Sequence, residues 1–494
     1  DPDVLVSDMF GLLWIHDAMK KVEDDSRDAE AAGDGECNGL AGGVLAGFLS
    51  QRNGFGGVAA SSRAQPCNLL LFSEVGVELQ PQVYVSSDWA LLRLVPPSED
   101  GSAQELRQYF SMVALHQQAP CCKPQPVGWC SWYCYGPKVN EELMLDSLDH
   151  LVSMKQSGEL PFNLFQLDDG WQSAWGDWLS PNLSRFPQGL QPLADRARKA
   201  GLVPGLWLAP AACIARSEVA RSHPDWLLRD TRGRPVTCGF TAPGLWMLAL
   251  DITNPEVVAH VKNVIHTIVN QWGFAYIKCD FLHCAAMPGA RRFDPTVSRA
   301  EALRRLMEAI RQAAGSSTFV LGCGAPLGPC VGLADAMRIS ADTAEHWLPK
   351  GPDLPGTRWF FAKDQTNLPS ARNMVRNTFA RMPMHGSLWI NDPDCLILRD
   401  EVPLQEAQAL ATVAALSAGS LIFSDFVEKV PQERLALLKA LLPPLPHAAQ
   451  RVRLLSPGIP EQVALDLLPK ANAVALGPWT LVALFNWSEQ SADR

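Results

Sequence analysis

The stretch FNLFQLDDGWQ (162–172) is an apolar run that ends on two adjacent acids, Asp168 and Asp169, followed by Gly170 and Trp171. Neighbouring carboxylates repel each other and are costly to dehydrate. A buried strand that ends this way has to deliver its acids to a polar site. The pattern recurs downstream. AYIKCDF (275–281) ends on Lys278 and Asp280, MRISAD (337–342) carries Arg338 and Asp342, and LWINDPD (388–394) carries Asp392 and Asp394.

Around these segments, short apolar strands alternate with amphipathic helices between residues 126 and 426. Strands are predicted over 127–132, 162–167, 203–208, 275–279, 319–323, 337–341, 387–390 and 420–424. The helices carry their own start signals. Asn254-Pro255-Glu256 supplies a cap, a first-turn proline and an acid at the positive end of the helix dipole. SRAE (298–301) is a capping box ahead of Leu303, Leu306, Met307 and Ile310. Eight βα units predict an α/β fold, a (β/α)8 TIM barrel, with its longest insertion at 210–253.

The flanks differ in texture. Residues 1–120, with GGVLAGFLSQRNGFGGV at 42–58, predict an N-terminal β-sandwich. The barrel domain takes 121–445, entered through the Pro-containing linker CCKPQPVG (121–128), and 446–494 begin a C-terminal β-domain. The first residues are strand-like and the tail stops short of a full domain, so both ends read as incomplete.

Composition narrows the function classes. The net charge of −10 and the lack of any Lys/Arg run disfavour a nucleic-acid partner. No 18-residue apolar segment predicts a membrane span. The 13 cysteines form no CxxC pair and have no His at zinc-like spacing, so no metal site is expected. Their odd number and apolar settings favour a reducing, cytoplasmic location, while the sequons at Asn182 and Asn486 keep a secreted one open. Gly322-Cys323-Gly324 lacks the third glycine and the ribose-binding acid of a dinucleotide fingerprint.

In a (β/α)8 barrel the C-terminal strand ends form one mouth, where chemistry is done. Acids and indoles at that mouth suit a sugar, and cleaving a glycosidic bond needs two carboxyl groups of unlike character. Lys278, two residues before Asp280 on the same side of its strand, should keep that acid ionised. Asp342 would need a raised pKa to act as the proton donor. Any one acid after a strand is more often a helix cap or turn residue, and Asp392 and Asp394 around Pro393 look most like turn chemistry. Their joint occurrence at successive strand ends favours a site.

DDGW, IKCDF, RISAD and WINDPDCL, in this order, resemble the α-galactosidases of glycoside hydrolase family 36 and, more distantly, those of family 27. The resemblance implies a retaining hydrolase of terminal α-linked galactose acting on a small-molecule α-galactoside, with no cofactor. It makes Asp280 the nucleophile and Asp342 the acid/base. It assigns Asp168 and Asp169 to the O4 and O6 hydroxyls and Lys278 to ring hydroxyls. Arg338 would approach O2 or orient Asp342. Trp129 and Trp207 would form pocket walls, Cys323 and Gly324 would lie near the 2-position, and Trp171 and Asp392 would be further contacts. LGCGAPLGPC (321–330) departs from the family's triple glycine, which leaves the oligomeric state open. A raffinose-synthase-like galactosyltransferase, an α-N-acetylgalactosaminidase and a barrel that binds sugar without cleaving it are the alternatives.

Overall fold

The structure, a computed structural model, describes residues 4–16, 40–61, 68–79, 81–82, 84–95, 101–119, 123–158, 160–242, 245–350, 368–451, 458–467 and 478–487. Cys121 and Cys122 of the expected linker and Ser488 of the second sequon lie outside them.

Eight parallel strands form the central sheet: β1 (Val127–Cys130), β2 (Leu164–Leu167), β3 (Val203–Leu208), β4 (Tyr276–Cys279), β5 (Phe319–Gly322), β6 (Ala336–Arg338), β7 (Ile390–Asp392) and β8 (Leu421–Phe423). The ladder runs β7-β6-β5-β4-β3-β2-β1-β8. Single bonds bridge its remaining gap: Ser420 N–H donates to Asn391 O at 2.9 Å and Leu396 N–H to Ile422 O at 2.7 Å. The result is the expected barrel, nearly closed.

Helices return the chain after seven of the strands: α1 (Glu141–Gln156), α2 (Gln191–Lys199), α3 (Pro255–His266), α4 (Arg299–Ala314), α5 (Ala371–Arg381), α6 (Leu404–Leu416) and α7 (Gln432–Ala440). The caps of α3 and α4 form as their sequences dictate, with Asn254 Oδ1 accepting from Glu256 N–H and Ser298 Oγ from Glu301 N–H. The fifth unit departs from the expectation of eight βα repeats. Between β5 and β6 there is only a 3-10 turn, Gly328–Cys330. Pro326, Gly328, Pro329 and Gly332 leave no stretch there that can sustain a helix.

Side chains alternate across the barrel wall. Leu164, Tyr276, Phe319, Leu321, Ala336, Ile390 and Ile422 face inward as one apolar cluster. Phe165, Leu167, Ile277, Cys279, Val320, Met337, Leu421 and Phe423 face the helices. Two residues on from the inward layer come Gln166, Lys278, Cys323, Arg338 and Asp392, a second, polar layer that supports the mouth.

Two three-stranded antiparallel sheets precede the barrel, one of Val4–Asp8, Phe55–Ser61 and Asn68–Glu74, the other of Phe10–His16, Leu40–Phe48 and Ala90–Val95. The region read as purely β also contains a helix, Gly101–Gln117. Leu106, Tyr109, Phe110 and Val113 follow the helical period and are buried, and Tyr109 Oη donates to Phe48 O at 2.6 Å. After the barrel, Gln450–Arg451, Gln462–Leu467 and Trp479–Leu484 form a small antiparallel sheet. The insertion after β3 folds as an antiparallel sheet of Ala212–Ile214, Leu245–Ala249 and Thr237–Ala242. No helix among the described residues is long and apolar enough to cross a membrane.

Candidate active site

A cavity of about 140 Å³ opens at the C-terminal end of the barrel, lined by Trp132, Asp168, Asp169, Trp175, Trp207, Phe240, Thr241, Lys278, Asp280, Phe281 and Asp342. Six of these, Asp168, Asp169, Trp207, Lys278, Asp280 and Asp342, are among the residues expected at the site.

The adjacent acids at the end of β2 are kept apart by different partners. Asp168 continues the inward face and is buried. It accepts from Lys278 Nζ at 2.9 Å, Gln166 Nε2 at 2.8 Å and Cys130 Sγ at 3.4 Å. Asp169 is held by Gln172 Nε2 at 2.6 Å, and burial, with the charge of Asp168, pushes its pKa to about 6. One acid of the pair is therefore ion-paired with Lys278, and the other carries a proton at mildly acidic pH. Gly170 turns the chain at φ +120°, where a Cβ would lie 2.9 Å from the Pro137 backbone.

Asp280, one residue past β4, takes Trp207 Nε1–H on Oδ2 at 3.1 Å and Phe281 N–H on Oδ1 at 2.6 Å. Burial alone would raise its pKa. The positive charge of Lys278 and the hydrogen bonds from Trp207, Cys323 and Phe281 outweigh that and hold it below the usual carboxylate value. The Lys278 ammonium itself bonds Asp168 and acts on Asp280 through its field. Burial would lower the Lys278 pKa, but the Asp168 charge keeps it well above normal. Phe281 sits at φ +51°, a left-handed conformation rare for a bulky side chain, and this aims its amide at Asp280. Gly324, at φ +57°, lies against the same carboxylate, and a Cβ there would come within 3.0 Å of Asp280 Oδ1.

Asp342 has the opposite environment. Half of its side chain is exposed, but into the narrow cavity. That enclosure, with the negative charge of Asp394, raises its pKa to about 6 despite Arg338. Arg338, fully inside the polar layer, binds three acids at once: Asp342 at 2.9 Å, Asp394 at 2.7 Å and Asp392 at 3.4 Å. Asp394 adopts φ +91° and also accepts from Tyr133 Oη and from Thr343 N–H, next to Asp342. Asp394 is thus a buried anchor, where a turn residue was expected.

Several expected contacts lie elsewhere. Trp129 has the outward parity of β1. It stacks on Phe165 at 5.6 Å and gives its indole N–H to Asp425 O at 3.0 Å, so it belongs to the core under the helices and not to the pocket wall. Trp171 is also fully buried, its Nε1–H on Trp207 O at 2.9 Å, behind the pocket. Asp392 faces Arg338 within the polar layer, and Cys323 and Gly324 stand behind Asp280. The residues missed by sequence are Trp132, Trp175, Phe240, Thr241 and Phe281. Trp175 meets Trp207 and Phe281 edge-on at 5.1 and 5.2 Å. Phe240 and Thr241 come from the insertion after β3. The aromatic run GWCSWYCY (128–135) at the end of β1, which contains Trp132, and the proximity of Phe281 to Asp280 gave signals in the sequence. Among the described residues no cluster of His, Cys, Asp and Glu could hold a metal ion, and nine cysteines are free thiols.

The family described as Melibiase matches residues 102–313. Alpha-galactosidase AgaA of Geobacillus stearothermophilus is 29% identical over 160 residues, 31% of this chain and 21% of that protein. An A type blood alpha-D-galactosamine galactosaminidase of Flavonifractor plautii is 28% identical over 163 residues, 31% of this chain and 14% of that protein. The chain thus matches about a fifth or less of the length of these curated relatives. The structure of TtGalA, an alpha-galactosidase from Thermus thermophilus in complex with p-nitrophenyl alpha-D-galactopyranoside, superposes with a TM-score of 0.65 at 31% identity, over 82% of this chain and 74% of that one. The chain belongs to glycoside hydrolase family 36. Family 36 AgaA, at 16% identity, shares the fold over 93% of this chain and 61% of its own, with a TM-score of 0.61. In this family 36 chain the acids stand at the ends of β2, β4, β6 and β7, and the β2, β4 and β6 acids line one cavity.

Proposed function

We propose that this protein is a retaining exo-acting α-galactosidase. The observation that carries the proposal is the convergence of two acids in unlike surroundings on one small cavity. Asp280 holds the Trp207 and Phe281 N–H groups and lies in the field of Lys278, which keeps its pKa low. Asp342 is enclosed beside Arg338 and Asp394, which leaves its pKa raised. Glycoside cleavage with retention uses such a pair, one as nucleophile and one as acid then base, with carboxyls about 5 Å apart. Asp280 attacks the anomeric carbon and Asp342 protonates the leaving oxygen, giving a glycosyl ester on Asp280. Asp342, now anionic, takes a proton from water, which attacks the same carbon and frees the sugar. Trp207 and the Phe281 amide restrain the nucleophile, and Arg338 orients the acid/base.

Asp168, paired with Lys278, and its neighbour Asp169 line the same cavity and bind the hydroxyls of the sugar. The volume supports exo action. Sites for drug-sized ligands span roughly 300–1,000 Å³, whereas 140 Å³ admits one ring. The galactose in the TtGalA complex supports its choice as the sugar. NMR of the sugar released from p-nitrophenyl α-galactoside tests the proposal: α-galactose should appear first. The β-anomer would contradict retention, and dominant transfer to added sucrose would replace the hydrolase by a transferase.

A further inference from the structure

The rim of the cavity carries an aromatic pair that the reaction does not require. Phe240 and Trp246 are Cα partners across the two long strands of the β3 insertion, with ring centroids 6.3 Å apart and edge-to-face. They are 65% and 59% exposed, on an element whose next residues, Met247, Leu248 and Ala249, are buried. Exposed aromatics grouped in this way mark a binding surface more often than a lone apolar side chain does. Phe240 belongs both to this pair and to the cavity lining, so the two surfaces are continuous.

The backbone places the pair deliberately. The strand register shifts between Thr237 and Gly239 and again between Phe240 and Ala242. Such irregularities re-aim side chains beside active sites. Here consecutive residues, Phe240 and Thr241, both reach the cavity, which regular alternation would forbid. The strand is also tied to the catalytic loop. The His283 ring lies 3.1 Å from Cys238 O through Nε2 and 3.1 Å from Gly324 O through Nδ1, and Gly324 abuts Asp280. A small cavity holds the ring that is cut, and whatever it is joined to must leave through the mouth.

We infer that Phe240 and Trp246 form a leaving-group platform selecting α-galactosides whose departing part is a ring with an apolar face, aromatic or pyranose, over those with a small alkyl group. This rests on the proposed glycosidase activity and adds the class of substrate. Stacking a flat face on Phe240, buttressed by Trp246, would stabilise the ring-bearing substrate and its transition state alike, so it should appear in kcat/KM.

The test compares kcat/KM for p-nitrophenyl α-galactoside, galactosyl-α-1,6-glucose and methyl α-galactoside in the wild type, Trp246→Ala and Phe240→Leu. The aryl-to-methyl and disaccharide-to-methyl ratios should each fall about tenfold in Trp246→Ala and at least as far in Phe240→Leu. Trp246→Phe should recover most of the loss. A fall in one ratio alone would assign the platform to that ring type. Unchanged ratios in both variants would overturn it, whatever happens to the absolute rates. If the wild type cleaves none of the three, the glycosidase fails independently. Calorimetric binding of phenyl against methyl α-galactoside to the wild type and Trp246→Ala then decides the platform alone.

Discussion

Asp394→Asn isolates the electrostatics of the acid/base. Asp394 donates nothing to the cavity, yet it holds Arg338 at 2.7 Å and the Thr343 amide at 2.8 Å, both adjoining Asp342. Enclosure and then the Asp394 charge raise the Asp342 pKa from 3.8 to about 6. Asparagine preserves shape and an acceptor but deletes the charge, and it leaves Arg338 freer to neutralise Asp342. Both effects lower the pKa. Because half the Asp342 side chain meets water, the charge acts through a screened medium, and a drop of about one unit is the reasonable magnitude. An acid of pKa about 6 is protonated roughly one time in ten at pH 7, and one of pKa ~5 one time in a hundred. The pH profile of kcat/KM reports this directly. Its alkaline limb should move down by about one unit, with kcat/KM about tenfold lower at pH 7 and much closer to wild type near pH 4.5. A uniform loss at all pH values, with the limb in place, would refute the reasoning.

Two further outcomes concern the adjacent acids. Lys278→Met strands the buried Asp168 carboxylate without its cation, and urea unfolding should show a loss of about 3–5 kcal/mol; a loss under ~1 kcal/mol would mean Asp168 is neutral or hydrated. Asp169 has a folded pKa of about 6 against 3.8. The native state therefore binds its proton more tightly, and the Asp169 contribution to stability is lost as pH rises from about 4 to 6. Asp169→Asn should abolish that part of the pH dependence and be about 1–2 kcal/mol more stable than wild type at pH 7. Equal slopes in urea denaturation from pH 4 to 7 would contradict the shift.

The barrel was legible because each strand is a local signal, a short apolar run, and four of the eight, β2, β4, β6 and β7, end on charged residues. Parity along those strands was legible as well: Asp168, Lys278 and Arg338 are inward for the same reason that Leu164, Tyr276 and Ala336 are. Applied to β1, the same rule puts Trp129 outside, one step from inward Cys130, although its position near a strand end suggested a pocket wall. The fifth helix fails on local grounds, since its prolines and glycines were visible in the sequence. The pairing of Lys278 with Asp168 spans 110 residues and depends on which strands are neighbours across the barrel, so the nearer Asp280 looked like its partner. Phe240 and Thr241 were hidden twice over, by an insertion of unknown path and by register shifts that break alternation. Asp394 read as a turn residue because Pro393 precedes it, and only the fold brings Arg338 and Tyr133 to it.

The division of labour between Asp280 and Asp342 is tested most directly by trapping. Incubation with a 2-deoxy-2-fluoro-α-galactoside bearing a good leaving group slows the second step and allows the ester to accumulate. Peptide mass spectrometry should then find one fluorogalactosyl adduct, on Asp280, and Asp280→Ala should carry none. An adduct on Asp342, or an enzyme that turns the reagent over as fast as it turns over p-nitrophenyl α-galactoside and never becomes labelled, would contradict the account.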